Sequence, residues 1–223
     1  MPSDNREEPK SGAPDDPKAR ELLRRAFEKT SRWPDGFGGF EADLRINVNG
    51  EETAGKVTVK NSKDVTVSLP NEELQKWAEG QISMIAVHRG PRNFEESDGK
   101  HSLSFLGEEN HPQGPKLSIG DSYGSTYRVK DDRITQINRK MPFAAFTINV
   151  EDSALTQDDK YLTTRYTVYY FSPKDGSLKN VESFSDTHAR IGKADLPATR
   201  RIISFEDGAM LTRTMTFENH KPL

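Results

Sequence analysis

The chain has no cysteine, which excludes disulfide bonds, thiolate metal ligands and cysteine nucleophiles. It also has no apolar run of about 18 residues, the length that a membrane-spanning helix needs. A basic surface typical of nucleic-acid binding is missing too, because 32 Lys and Arg are mixed with 35 Asp and Glu along the chain. We therefore expect neither a membrane span nor a nucleic-acid partner.

Apolar residues are scarce, at 32% of the 223 residues, whereas charged residues reach 30%. Such a composition favours a thin core, as in a sheet that has one face packed and the other in water. The length is typical of one all-β or α+β domain. We predict a disordered polar tail over residues 1–15 and a single domain over residues 16–223.

Residues with the spacing of a metal or catalytic site are also lacking. The chain has five histidines, and none has another histidine two, three or four residues away: His88, His101, His111, His188 and His220. The glycines at 36–39 follow a predicted helix and precede a strand, which is the reverse of the order in dinucleotide-binding motifs. We therefore expect no metal and no cofactor, and no catalytic residue can be assigned.

The N-terminus has no apolar stretch of the kind found in secretory signals. As written, the chain is expected in the cytoplasm by default. The alternative is an exported protein from which a signal peptide has been removed.

Two helices are indicated by capping residues and by apolar spacing. Asp16 can cap a helix that has Pro17 at its first position and ends near Thr30. Asn71 can cap a second helix that runs to about Val87. The rest of the folded chain is predicted to be strands and turns.

The clearest strand runs from Phe40 to Val48, where apolar and polar residues alternate without interruption. Asn49-Gly50 then predicts a tight hairpin turn. Val57 and Val59 continue the return strand, and Val65, Val67 and Leu69 indicate a third. Further strands are predicted near 101–107, 116–120, 123–130, 133–140, 143–150, 160–171, 179–189, 199–206 and 209–218. Because the connections are too short for crossovers, the fold class is α+β and dominated by β-structure: a strongly curved antiparallel meander sheet, an incomplete barrel, with two helices packed on one face.

Aromatic residues crowd the predicted strand at 160–171 and fall on both of its faces. One interpretation is ordinary packing on both sides of a central strand. The other is that one face lines an apolar cavity enclosed by the curved sheet. The candidate lining residues are Leu44, Ile46, Val57, Trp77, Phe146, Tyr166 and Tyr170.

Several short motifs follow one another along the chain in a characteristic order. They are Trp-Pro-x-Gly-Phe-x-Gly-Phe at 33–40, Asn49-Gly50, His88-Arg89, Gly-Ser-Thr-Tyr-Arg-Val at 124–129, Gln-Ile-Asn-Arg at 136–139, Phe-Thr-Ile-Asn at 146–149 and Thr-x-Thr-Phe-x-Asn at 214–219. In this order, over residues 17–221, the chain resembles an uncharacterised bacterial family, domain of unknown function 3386. The layout also resembles the half-barrel of periplasmic lipoprotein carriers, a likeness that implies acyl-chain binding on a concave face.

Three functional hypotheses follow, and the favoured one is non-enzymatic: a binding module that holds an apolar small molecule or lipid inside the curved sheet. The second is an enzyme whose site is assembled from scattered polar residues, namely His88, Arg89, Tyr127, Arg139 and Asn149. The third is an interaction domain that docks through an edge of the sheet. The sequence identifies no particular protein partner under any of the three hypotheses.

Overall fold

The computed structural model describes residues 14–107, 110–206 and 208–223. These residues form two α-helices, α1 (Pro17–Lys29) and α2 (Glu72–Arg89), and a short 3-10 helix at Asp98–Lys100. They also form twelve strands: β1 (Phe40–Val48), β2 (Glu51–Asn61), β3 (Asp64–Ser68), β4 (Leu103–Leu106), β5 (Lys116–Ile119), β6 (Thr126–Lys130), β7 (Arg133–Lys140), β8 (Ala145–Leu155), β9 (Tyr161–Phe171), β10 (Leu178–Ile191), β11 (Ala194–Glu206) and β12 (Ala209–Pro222).

The strands are ordered β3-β2-β1-β12-β11-β10-β9-β8-β7-β6-β5-β4 in one sheet. Nearly every neighbour in this order is also a neighbour along the chain, and the paired strands run antiparallel. Because β3 and β4 stand at the two ends of the order, the sheet is open. The predicted β-dominated α+β fold with an antiparallel meander and two helices is confirmed.

The first helix begins where its capping residue predicts. The Asp16 carboxylate accepts hydrogen bonds from the backbone N–H groups of Lys18 (2.8 Å) and Ala19 (3.3 Å), and Pro17 occupies the first turn. These bonds satisfy N–H groups that have no partner within the helix. Most of the predicted tail, residues 1–13, lies outside the described residues.

The predicted hairpin after β1 is present. Asn49 (φ 51°) and Gly50 (φ 101°) both adopt left-handed backbone conformations, which a two-residue turn of this kind requires. The turn fixes the register of β1 on β2, so that Phe40 lies opposite Val59 and Ala42 lies opposite Val57. As a result the alternating apolar residues of both strands share one face.

The chain divides into two compact units. The first unit comprises the described residues up to Thr30 together with Arg92–Val181, and the second comprises Ser31–Pro91 together with Glu182–Leu223. The single domain predicted for residues 16–223 stays a prediction.

In the first unit, α1 packs on β4, β6 and β7. Its buried residues Leu23 and Phe27 join a core with Leu117 and Tyr127 of the strands. The ring of Phe27 meets the edge of Phe94 at 5.4 Å between centroids. Burial of these apolar side chains holds the helix on one face of the sheet.

In the second unit, α2 packs on β2 and β3. Its Ile82 joins a core with Leu44 and Ile46 of β1 and Met215 of β12. The helix N-terminus is capped by the Asn71 side chain, which accepts from the Leu74 N–H at 2.9 Å. The helix extends two residues beyond the predicted end at Val87, to Arg89.

Candidate ligand-binding site

One row of side chains runs across six strands of the first unit. Each member lies directly opposite the next in the register, so all of them project from the same face. From β4 to β9 the row is Phe105, Leu117, Tyr127, Ile137, Ile148 and Val168. The row is apolar apart from one phenol hydroxyl.

Helix α1 covers only part of this face. The core under α1 takes in residues of β4 to β7, and no residue of β8 or β9 belongs to it among the described residues. The same face nevertheless continues over β8 and β9 as three directly opposed pairs, Phe146–Tyr170, Ile148–Val168 and Val150–Tyr166. We call these six residues the β8–β9 apolar face.

The β8–β9 apolar face is intermediate in exposure between core and surface. Val168 is buried, whereas the other five residues are half-buried. Three of the candidate lining residues, Phe146, Tyr166 and Tyr170, therefore share this one surface. The register that brings them together depends on their even spacing along each strand.

The opposite face of the same strands is polar. Asn149 of β8 accepts a hydrogen bond from Gln136 Nε2 at 2.9 Å, and Gln136 Oε1 accepts from Asn138 Nδ2 at 2.9 Å. Thr147 Oγ1 donates to Asn138 Oδ1 at 2.7 Å. The amide groups therefore satisfy one another within the polar face, and the apolar residues form a separate surface on the other side of the sheet.

Arg139 lies at one end of the β8–β9 apolar face. It is directly opposite Phe146, which is itself directly opposite Tyr170. The guanidinium Nε donates to Ser125 Oγ at 3.0 Å, and Nη2 donates to the Tyr127 hydroxyl at 2.9 Å. Within the described part of the chain, Nη1 has no hydrogen-bond partner and the group forms no ion pair with a carboxylate.

The groups that hold Arg139 are themselves anchored. Tyr127 donates to Asp98 Oδ1 at 3.4 Å, and Ser125 donates to Asp121 Oδ2 at 2.6 Å. Burial, followed by the charge of Asp98, raises the pKa of Tyr127 to about 12, so the hydroxyl keeps its proton at neutral pH. The orientation of the guanidinium is therefore fixed by two polar side chains rather than by direct pairing with an acid.

The four other candidate lining residues lie in the second unit. Leu44, Ile46 and Val57 have exposed fractions of 0%, 0% and 1%, and all three belong to the core beneath α2. Trp77 is half-buried against that core, with the guanidinium of Arg213 5.0 Å from its ring centroid. Contact with a ligand is not needed to explain the burial of these four residues.

Among the five polar candidates, the structure brings only Tyr127 and Arg139 together. Asn149 is on the opposite face of the sheet from Arg139, because it lies opposite Gln136 whereas Arg139 lies opposite Phe146. His88 and Arg89 belong to the second unit, where His88 is exposed and Arg89 is buried. The two adjacent residues therefore point in different directions from the end of α2.

Sequence reasoning missed a buried polar cluster in the second unit. Arg200 and Asp186 form a two-point ion pair at 3.0 and 2.6 Å, and Arg190 pairs with Asp195 at 3.0 Å. Burial lowers the pKa of the nearby Arg89, and the charges of Asp195 and Asp186 oppose that lowering in part. One sequence signal could have indicated this cluster. Arg200 is two residues before Ile202 in an alternating strand, so it occupies a position that faces the core.

Both edge strands have backbone groups that are already occupied by the chain itself. On β3, the N–H of Val67 donates to Glu79 Oε1 at 3.2 Å. On β4, the N–H of Leu103 donates to Asp15 Oδ1 at 2.9 Å, and its carbonyl accepts from the N–H of Asp16 at 2.7 Å. Short edges blocked in this way are typical of sheets protected against pairing with another strand.

Metal-binding clusters and membrane-spanning helices are both absent from residues 14–107, 110–206 and 208–223. No group of three or more His, Asp or Glu is arranged to hold a metal ion there. In the same ranges, neither helix has the length and apolar content needed to cross a membrane.

Solved structures with a similar fold include a LolA superfamily protein from Nitrosomonas europaea, with 12% identity, a TM-score of 0.40 and coverage of 92% of this chain and 93% of that one. An outer membrane lipoprotein-sorting protein domain from Vibrio parahaemolyticus has 8% identity, a TM-score of 0.42 and coverage of 92% of both chains. MucB in complex with MucA(peri) has 12% identity, a TM-score of 0.23 and coverage of 92% of this chain and 98% of that one. The expected likeness to lipoprotein carriers is found, and it spans nearly the whole of each chain.

No curated protein matches the chain. The sequence model of one family, described as protein of unknown function (DUF3386), matches residues 14–223. That range contains every motif from which the resemblance was inferred. The chain belongs to the DUF3386 family.

Proposed function

We propose that the chain is a non-enzymatic binding protein that holds an apolar ligand, a lipid or another molecule with a hydrocarbon chain, against the β8–β9 apolar face. The observation that carries the proposal is the incomplete cover of one continuous apolar row. The core under α1 ends at β7, and beyond it five of the six residues of the β8–β9 apolar face are half-buried, Val168 being the buried one.

The composition of this face suits an apolar ligand. Phe146, Ile148 and Val150 stand opposite two tyrosines and a valine, so the surface combines broad rings with branched aliphatic chains. Apolar area removed from water contributes about 25 cal/mol per Å². A hydrocarbon chain laid along three such pairs would gain that contribution without requiring any polar partner.

The two alternative functions find less support in the geometry. A shared enzymatic site would need the polar candidates to converge, and Asn149 faces away from Arg139. Docking through a sheet edge would need free backbone groups, and Val67 and Leu103 already have partners.

Two adjacent tyrosines offer a matched test. Tyr170 belongs to the β8–β9 apolar face, and Tyr169 lies opposite Thr147 on the polar face; both are half-buried. We expect the unmodified protein to bind the neutral apolar probe 1-N-phenylnaphthylamine saturably, with one molecule per chain. Tyr170→Ala should weaken this binding about tenfold, a loss that corresponds to about 1.4 kcal/mol, and Tyr169→Ala should leave it within about twofold.

The circular dichroism of both variants serves as the control for folding. Equal weakening by both substitutions, or no saturable binding by the unmodified protein, would contradict the proposal.

A further inference from the structure

The end of the β8–β9 apolar face carries a positive charge that is poorly explained by packing. Arg139 projects from the same face as Phe146 and Tyr170, and it is half-buried. A guanidinium beside aromatic side chains loses hydration, and proteins usually offset that loss with a carboxylate partner. Among the described residues, Arg139 forms no such pair.

The neighbours of Arg139 orient it without neutralising it directly. Ser125 and Tyr127 accept its Nε and Nη2 hydrogens, while Asp98 and Asp121 lie one hydrogen bond further away. Nη1 is the nitrogen left available. A fixed guanidinium with an available edge matches the geometry by which arginine binds carboxylate and phosphate groups.

The position of Arg139 along the strand also fits a head group. Lys140, the next residue, is exposed at the end of β7, and Phe143 in the following turn is 78% exposed. From the Phe146–Tyr170 pair the apolar face extends to Val150 and Tyr166, about 13 Å at 3.3 Å per residue. A ligand would therefore fit this surface in one orientation, with its polar head group at the Arg139 end near water and its hydrocarbon tail along the strands.

We propose that the ligand is an anionic amphiphile whose carboxylate or phosphate head group binds the Arg139 guanidinium while its hydrocarbon chain lies on the β8–β9 apolar face. This inference rests on the proposed function, because it assigns the head group of the same ligand. The Tyr127 hydroxyl and Ser125 are positioning residues, since they hold the guanidinium.

Two probes of equal chain length test the inference separately from the proposed function. We expect dodecanoate to bind the unmodified protein about ten- to a hundredfold more tightly than dodecanol, the gain typical of a charge-assisted hydrogen bond in a partly dry site. Arg139→Gln should abolish that preference and leave dodecanol binding unchanged, and Arg139→Lys should restore part of it.

A matched control is Arg128→Gln, because Arg128 lies opposite Gln136 on the polar face and donates to the Gly114 carbonyl at 2.9 Å. This variant should keep the preference for dodecanoate. Inorganic phosphate should displace dodecanoate only at concentrations far above those of dodecyl phosphate, since it lacks the chain.

The outcomes separate the two claims. Equal binding of dodecanoate and dodecanol would overturn the head-group assignment and leave the apolar site intact, whereas failure of both to bind would overturn the proposed function itself. If inorganic phosphate displaced dodecanoate at the same concentration as dodecyl phosphate, the proposal that the ligand is an amphiphile would be contradicted.

Discussion

Arg200 of β11 lies directly opposite Asp186 of β10, and their side chains are joined by two hydrogen bonds, with only 9% of each side chain exposed. Arg200 also lies directly opposite the buried Met215, so this ion pair continues a row of the core face in the second unit. Removal of one partner from a buried pair leaves a charge without its compensation.

We therefore predict that Asp186→Ala lowers the free energy of unfolding by about 3 to 5 kcal/mol, as measured by urea denaturation. The control is Asp152→Ala, which removes the exposed pair of Asp152 with Arg165 at 3.5 Å and should cost less than about 1 kcal/mol. Similar costs for the two variants would contradict the assigned role of the buried pair.

His188 provides a prediction for the pH dependence of stability. Burial, followed by the charges of Arg89 and Arg200, lowers the pKa of His188 to about 4. Because an unfolded histidine titrates near pH 6.5, the unfolded state binds the extra proton between about pH 6.5 and 4. The stabilising contribution is therefore complete above pH 6.5 and is lost as the pH falls through that window.

Between pH 7 and pH 5 the unmodified protein should lose about 2 kcal/mol more stability than His188→Gln, at 1.36 kcal/mol per pKa unit. Urea denaturation at the two pH values measures the difference. Parallel losses in the two proteins would show that His188 does not carry this dependence.

Arg89 is expected to destabilise the second unit. Its exposed fraction is 8%, and Ser31 accepts from its Nη2 at 3.3 Å. Nε and Nη1 have no hydrogen-bond partner among the residues that the structure describes. Asp186 and Asp195 already pair with other arginines. Burial lowers the pKa of Arg89 to about 10, so the charge persists at neutral pH.

Arg89→Met should therefore raise the free energy of unfolding by about 1 kcal/mol, since it removes unpaired buried donors and keeps the shape of the side chain. The same change should raise the pKa of His188, measured by NMR titration, because Arg89 is one of the charges that lower it. A loss of stability above about 1 kcal/mol, together with an unchanged His188 titration, would argue against this account.

Much of the fold could be predicted because its local signals agree. Asp16 and Asn71 cap the helices, and Asn49-Gly50 forms the first turn, so the element order followed from turn chemistry and alternation. The C-terminal end of β8 was harder to predict, because the strand was expected to end at Val150 and continues to Leu155. Its last residues follow a bulge near Asp152, which breaks the period of two on which strand prediction depends.

The candidate site was predictable only in part. The even spacing of Phe146, Tyr166 and Tyr170 indicated a shared face, but their partners depend on strand register, which no local pattern fixes across different hairpins. The same limit explains why Arg139 and Asn149 were grouped although they face opposite sides. Arg89 is in the last turn of α2, where a cation can stabilise the helix terminus from the surface, and its burial arises instead from tertiary packing that local sequence does not encode.

The position of the ligand is the central claim, and methyl NMR tests it most directly. Protein labelled at the isoleucine methyl groups would be titrated with dodecanol. We predict saturable shifts at Ile148 of the β8–β9 apolar face and at its opposite neighbour Ile137, with one ligand per chain, and no shift at Ile46 or Ile82 in the core beneath α2. Shifts confined to Ile46 and Ile82, or no saturable shift at any isoleucine, would contradict the account.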